Sequence, residues 1–191
     1  VQPVGMGAAA YLRLPAARLA HNPAAEQAYL AAVRGALGAG GKPIEQTHLL
    51  VRRGAYLAAC ALNESPLGQE DLQLRGEFID LFDPALPARR DPVLRPGEAG
   101  LFYDLARSPA APAVIAAAGR IEQSEWDGSG GEILAACPSH VAGLLLCKLA
   151  ACPAQVTVDG EISTAWTWDQ DRALARIPYT GNPIGARISI H

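Results

Sequence analysis

Several features are missing from this sequence, and each absence closes off a class of function. No apolar run is long enough to cross a bilayer as a helix: Val141–Cys147 reaches only about a third of the roughly 20 residues required. Charge of either sign is sparse, with 18% charged residues and a net charge of −3. The arginines stand singly or in pairs (Arg52-Arg53, Arg89-Arg90) and form no basic stripe that could follow a phosphate backbone, so nucleic acid is not expected as a partner. The four histidines, His21, His48, His140 and His191, show neither HxH nor HxxxH spacing. The four cysteines, Cys60, Cys137, Cys147 and Cys152, form no CxxC and have no histidine at ligand spacing, so no metal is expected. They read as small hydrophobes or unreactive thiols, with a disulfide through Cys152 as the alternative, and they leave the compartment open.

Catalytic signatures are equally scarce. The serine of DGSGGEI has no GxSxG context, and GMGAAAY lacks the third glycine of a dinucleotide loop, so no cofactor is expected. The first residues lack both an initiating Met and the basic n-region of a signal peptide, which reads as a fragment of a longer protein.

What is present is β-like patterning behind a short helical preface. Residues 6–14, MGAAAYLRL, read as an apolar strand, and LPAARLAHNP as a connector. A helix follows, with Asn22 as N-cap, Pro23 at its first position and Tyr29, Leu30, Val33 and Leu37 along one face. From Thr47 onward, short runs such as THLLVRR, GGEILAACPS and ARISIH alternate with turns rich in Gly, Pro, Asp and Asn. The expected architecture is all-β, an antiparallel β-sandwich over residues 47–191, preceded by one strand and one helix in residues 1–46. The opening segment is either docked on the sandwich or the tail of a preceding α/β domain, and its lone strand needs a partner to cover its edge.

The stretch FIDLFDPALPARRDPVLRPGEAGLFYDL holds the candidate acids. Alternation puts Asp80 on the face of Phe78 and Phe82, and Asp83 on the opposite face, so the two carboxylates are expected to point apart. Glycosidase-type catalysis needs two carboxyls about 5 to 9.5 Å apart across one bond, which such a strand does not supply alone. Asp83 before Pro84 reads as a turn residue, and Asp80 as a salt-bridge partner of Arg75 or Arg120. Asp104, closing LFYDL, reads the same way. No catalytic residue is assigned, although a small hydrolase with Asp80 and Asp104 converging is the enzyme alternative.

Aromatic residues suggest binding. Trp166 and Trp168 share a strand face and read as core, whereas Trp126 in EWDGSGGE ends a strand beside a glycine-rich tip too small to bury it. Trp126 and the adjacent Asp127 are therefore the candidate ligand contacts. A free-standing sugar-binding module using Trp126 or Tyr179 is a further alternative.

The segments RRGAYLAACALNES, FIDLFDP, LRPGEAGLFYDL, AGRIEQ and WTWDQDRALARI, in that order over residues 48–191, resemble the C-terminal β-sandwich regions of bacterial glycoside-hydrolase-like proteins. GMGAAAYLRLP is similar to the last strand of a flavodoxin-like or amidotransferase-like domain. In the resembled family the catalytic carboxylates lie in an upstream barrel. The resemblance therefore implies a non-catalytic accessory module of a carbohydrate-active protein, its partner a neighbouring domain or subunit and its candidate ligand a carbohydrate.

Overall fold

The computed structural model describes residues 2–5, 7–13, 15–19, 22–38, 46–64, 68–127 and 130–191. The chain divides into two compact units, Val1–Gln46 and Thr47–His191.

In the first unit, β1 (Gln2–Val4) pairs antiparallel with β2 (Gly7–Ala9), with Gln2 opposite Ala9. The strand read over 6–14 thus stops at Ala9 and finds its partner in β1; Met6 and Leu14 lie outside the described residues. The connector contains a short helix, α1 (Ala16–Leu19), and α2 (Pro23–Leu37) follows. The Asn22 side chain caps α2 by accepting from the backbone N–H groups of Ala24 and Ala25 at 3.0 and 3.3 Å. Those donors have no carbonyl partner within the helix, so the cap supplies one.

The second unit opens with a hairpin, β3 (His48–Arg53) and β4 (Tyr56–Ala61). Short strands follow: β5 (Leu72–Gln73), β6 (Glu77–Asp80), β7 (Ala88–Arg90) and β8 (Val93–Leu94). Then comes β9 (Ala99–Asp104). The order β3-β4-β9-β6-β7 makes one antiparallel sheet, and β5 pairs with β8 separately.

The rest of the chain forms two further sheets. Its strands are β10 (Ala113–Ala117), β11 (Arg120–Trp126), β12 (Gly131–Ala136) and β13 (Ala142–Lys148). They are followed by β14 (Val156–Val158), β15 (Glu161–Ile162) and β16 (Thr167–Asp169). The last two are β17 (Leu174–Thr180) and β18 (Ala186–Ile190). One sheet is ordered β10-β13-β17-β16 and the other β11-β12-β18-β14-β15. The chain passes between them at Gly119 (φ +153°), where a Cβ would collide with the Ala136 carbonyl. The Ala-rich run before it, AVIAA, is a strand.

The fold is mostly β, in antiparallel sheets consistent with an all-β sandwich. Ile133, Leu145, Val156, Ile177 and Ile188 form the core between the last two sheets. The other face of the β10-β13-β17-β16 sheet is also covered, because Leu146 and Leu174 pack with Ile79 and Tyr103 of the first sheet. A strand buried on both faces needs apolar residues at successive positions, which explains the run LLLC in β13. The first sheet buries its remaining face, Leu57, Phe78 and Phe102, with Leu72 and Leu94 from β5 and β8. Two arginines join the first sheet to the β10-β13-β17-β16 sheet: Arg172 Nη2 donates to Glu77 Oε1 at 3.2 Å, and Arg176 Nη1 to the Leu86 carbonyl at 2.9 Å.

Candidate functional site

The candidate acids are held by local donors. Asp80 closes β6, so the alternation expected to separate it from Asp83 ends there. The chain then turns on both side chains: Asp80 Oδ1 accepts from the Phe82 N–H at 3.1 Å and Asp83 Oδ1 from the Ala85 N–H at 2.9 Å. The two carboxylates do not point apart. Both reach Arg89, Asp80 Oδ2 lying 3.0 Å from Nε and Asp83 Oδ2 3.4 Å from Nη2. Arg89 takes the place expected of Arg75 or Arg120, because the register Phe78↔Arg89 puts it on the face of Phe78 and Asp80. Arg120 pairs with Glu122 instead.

Asp104 is buried, with 8% of its surface exposed, and so needs compensation. Its Oδ2 accepts from Arg52 Nη1 at 2.7 Å, and its Oδ1 caps a 3₁₀ turn through the Ala106 N–H at 3.1 Å. The register Phe78↔Asp104 and Asp80↔Phe102 sets the two aspartates diagonally on one face, each with its own arginine.

Trp126 occupies a different setting. It closes β11 opposite Gly131, and the next residues turn into β12. The Asp127 N–H donates to the Gly130 carbonyl at 3.0 Å, and the Gly130 N–H donates to Asp127 Oδ1 at 2.8 Å. Gly128 and Ser129 lie outside the described residues. A Cβ on Gly131 would fall within the indole, so the ring rests directly on the backbone of the neighbouring strand. Trp126 is half-buried against the sandwich core, and Asp127 is exposed.

Two depressions meet at this indole. One, of about 280 Å³, is lined by Trp126 with Glu125, Asp127, Glu132 and His191. The other, of about 400 Å³, is lined by Trp126 and His191 with Pro112, Leu149, Pro153 and Ile190. The first carries carboxylates, which accept hydrogen bonds from hydroxyls and amines; the second is mainly apolar. The arrangement suits a molecule with one apolar face and a polar rim. His191 and the loop Leu149–Ala154 were missed from the sequence, because they arrive through long-range pairing: β18 lies between β12 and β14, with Ile190 opposite both Gly131 and Val156.

The remaining candidates are more deeply placed. Tyr179, considered as a sugar platform, is 6% exposed. Its hydroxyl lies 3.2 Å from the Ala118 carbonyl as donor, and burial, with a smaller contribution from Cys137, pushes its phenol above its ordinary value. It belongs to the core. Trp166 and Trp168 are partly buried and pack against the same core. All four thiols are free: Cys137 and Cys147 are buried, Cys60 is intermediate, and Cys152 is exposed.

No family model matches the chain, and no curated protein matches it. Among solved structures, a GH31 dextranase from Flavobacterium johnsoniae complexed with isomaltotriose is similar at 10% identity and a TM-score of 0.35. The similarity covers 71% of this chain and 26% of the dextranase. A cycloalternan-forming enzyme from Listeria monocytogenes, in complex with a pentasaccharide substrate, is similar at 10% identity and a TM-score of 0.25. That similarity covers 71% of this chain and 18% of that enzyme. The chain thus spans about a quarter or less of these carbohydrate-active proteins.

Proposed function

We propose that the chain is a non-catalytic β-sandwich module of a carbohydrate-active protein, supporting a neighbouring domain or subunit and offering Trp126 and Asp127 as a sugar contact. The observation that carries this reading is the half-covered indole seated over Gly131, with a carboxylate-lined depression on one side and an apolar one on the other. A pyranose ring presents C–H groups to an aromatic face and hydroxyls to carboxylate acceptors. Asp80 and Asp104 support the non-catalytic part, since arginines and backbone donors already use their oxygens.

Stacking on one indole contributes on the order of 1 kcal/mol beyond area burial. The expected affinity is therefore millimolar at best, suited to an auxiliary contact within a larger assembly. Affinity electrophoresis of the whole chain through gels containing soluble α-glucan, β-glucan or xylan tests the contact. Retardation by at least one polymer, lost in Trp126→Ala and weakened in Asp127→Asn, is the expected result. Equal mobility in every gel rejects the sugar contact. Turnover of aryl glycosides that vanishes in Asp80→Asn would replace the whole reading with the hydrolase alternative.

A further inference from the structure

The edge strands of the second unit are not equally protected. A free edge presents unpaired N–H and C=O groups, and proteins blunt such edges with charges, proline, bulges or brevity. β11 carries Glu122, Gln123, Ser124 and Glu125, and its register shifts between Ile121 and Gln123. β10 follows Pro112 and also shifts register, between Val114 and Ala116. β7, β15 and β16 span two or three residues each. Of these devices β3 has only charge, and only at one end, where Arg52 and Arg53 stand. It runs six residues in unbroken register from His48↔Ala61 to Arg53↔Tyr56, and among the described residues no strand pairs with its outer side.

The orientation of its free groups follows from the hairpin. The Leu62 N–H bonds the Thr47 carbonyl at 2.8 Å, and pairs on an antiparallel ladder alternate, so Thr47, Leu49, Val51 and Arg53 bond inward to β4. His48, Leu50 and Arg52 therefore turn their backbone groups outward. The centre of the strand is apolar and open, with Leu49 57% exposed, Leu50 44% and Val51 54%.

We propose that β3 pairs with β3 of a second copy of this chain, antiparallel about a two-fold axis at Leu50. The strand is complementary to itself in that register. Leu50 meets its own counterpart, Leu49 meets Val51, and His48 meets Arg52, so the outward groups of all three outward-facing residues find partners. On the opposite face, Leu49 and Val51 of both copies come together beside Tyr56 and the exposed Ala58. Charge does not oppose the pairing, because Arg52 already forms an ion pair with Asp104 of its own chain at 2.7 Å. Shifting the register by one residue would set outward groups against residues whose backbone groups bond inward and lose the match.

Sedimentation equilibrium of the full chain tests the proposal, with Leu50→Lys as the edge-blunting variant and circular dichroism as the check on its fold. The expected result is a concentration-dependent dimer in the native chain and a folded monomer in the variant. A native chain that stays monomeric up to its solubility limit overturns the proposal, as does a dimer unaffected by Leu50→Lys. Register is read separately, in a Cys60→Ser, Cys152→Ser background, which also serves if the lysine variant misfolds. There Leu50→Cys should form an interchain disulfide on mild oxidation, while Phe82→Cys, more exposed at 64% against 44% but away from β3, should not. Cross-linking at both positions alike, or at neither, rejects the two-fold pairing.

Discussion

Trp126 and Tyr179 use the same local device in two places with opposite outcomes. Each lays its ring over a glycine on the neighbouring strand, Gly131 beneath Trp126 and Gly143 beneath Tyr179, where a Cβ would fall inside the ring. Tyr179 does so on β17, in a sheet covered on both faces, and is enclosed with its hydroxyl bonded. Trp126 does so at the end of β11, an edge strand, and keeps part of its indole open to two depressions. An aromatic over a glycine is a packing solution wherever neighbours close over it, and a binding surface where the sheet ends.

Truncation should separate the pair most strongly. Tyr179→Ala removes a buried aromatic and is expected to cost about 3–5 kcal/mol, whereas Trp126→Ala, losing a half-covered ring, should cost at most about half as much. Chemical denaturation of both variants checks this, and equal losses would mean that Trp126 is core. Filling the glycines is the next test. Gly143→Ala forces a methyl into the ring of Tyr179, which is buried and bonded to the Ala118 carbonyl, at an expected cost of about 1–3 kcal/mol. Gly131→Ala should destabilise by less than about 1 kcal/mol, because the indole can swing outward, yet it should abolish retardation in the sugar gels. A larger loss in Gly131→Ala than in Gly143→Ala would reverse the comparison.

Two cysteines, one in each setting, extend the contrast to pH. Cys152 is exposed in the depression beside Trp126, while Cys147 lies in the core with Tyr179. Burial pushes the Cys147 thiol from 9.0 up to about 12. Below pH 9 both the folded and unfolded chains keep this proton, and its contribution to stability is fully present. Between about 9 and 12 the unfolded chain releases the proton and the folded chain retains it, so stability falls with rising pH by up to about 1.4 kcal/mol per unit. Denaturation at pH 9 and pH 10 should show this decline, flattened in Cys147→Ala and unchanged in Cys152→Ala. A decline that persists in Cys147→Ala assigns it to another group.

Much of the fold was legible because it is written in local patterns. The cap Asn22, Pro23 at the first helical position and the glycine after Leu37 mark α2 without reference to anything distant. Alternation and turn residues likewise reveal most strands. The candidate site was legible only at its hairpin tip. Trp126 and Asp127 follow from EWDGSGGE, but His191 meets them through the placement of β18 between β12 and β14, which no local pattern encodes. The acids show the same limit. Alternation holds only while a strand lasts, and β6 ends at Asp80, so its extrapolation to Asp83 failed. Arg89 is nine residues further on and shares a face with Asp80 only because β7 returns in the register Phe78↔Arg89.

The arginine contacts between sheets have a mechanical consequence. Glu77 begins β6 and Leu86 shortly precedes β7, so Arg172 and Arg176 grip the two flanks of one hairpin, with Ile79 wedged against Leu146 between them. Sliding one layer over the other would strain both grips and the wedge at once rather than one after another. The joint therefore works like a keyed coupling, in which a pull on the first sheet is shared among the two arginine contacts and the apolar wedge.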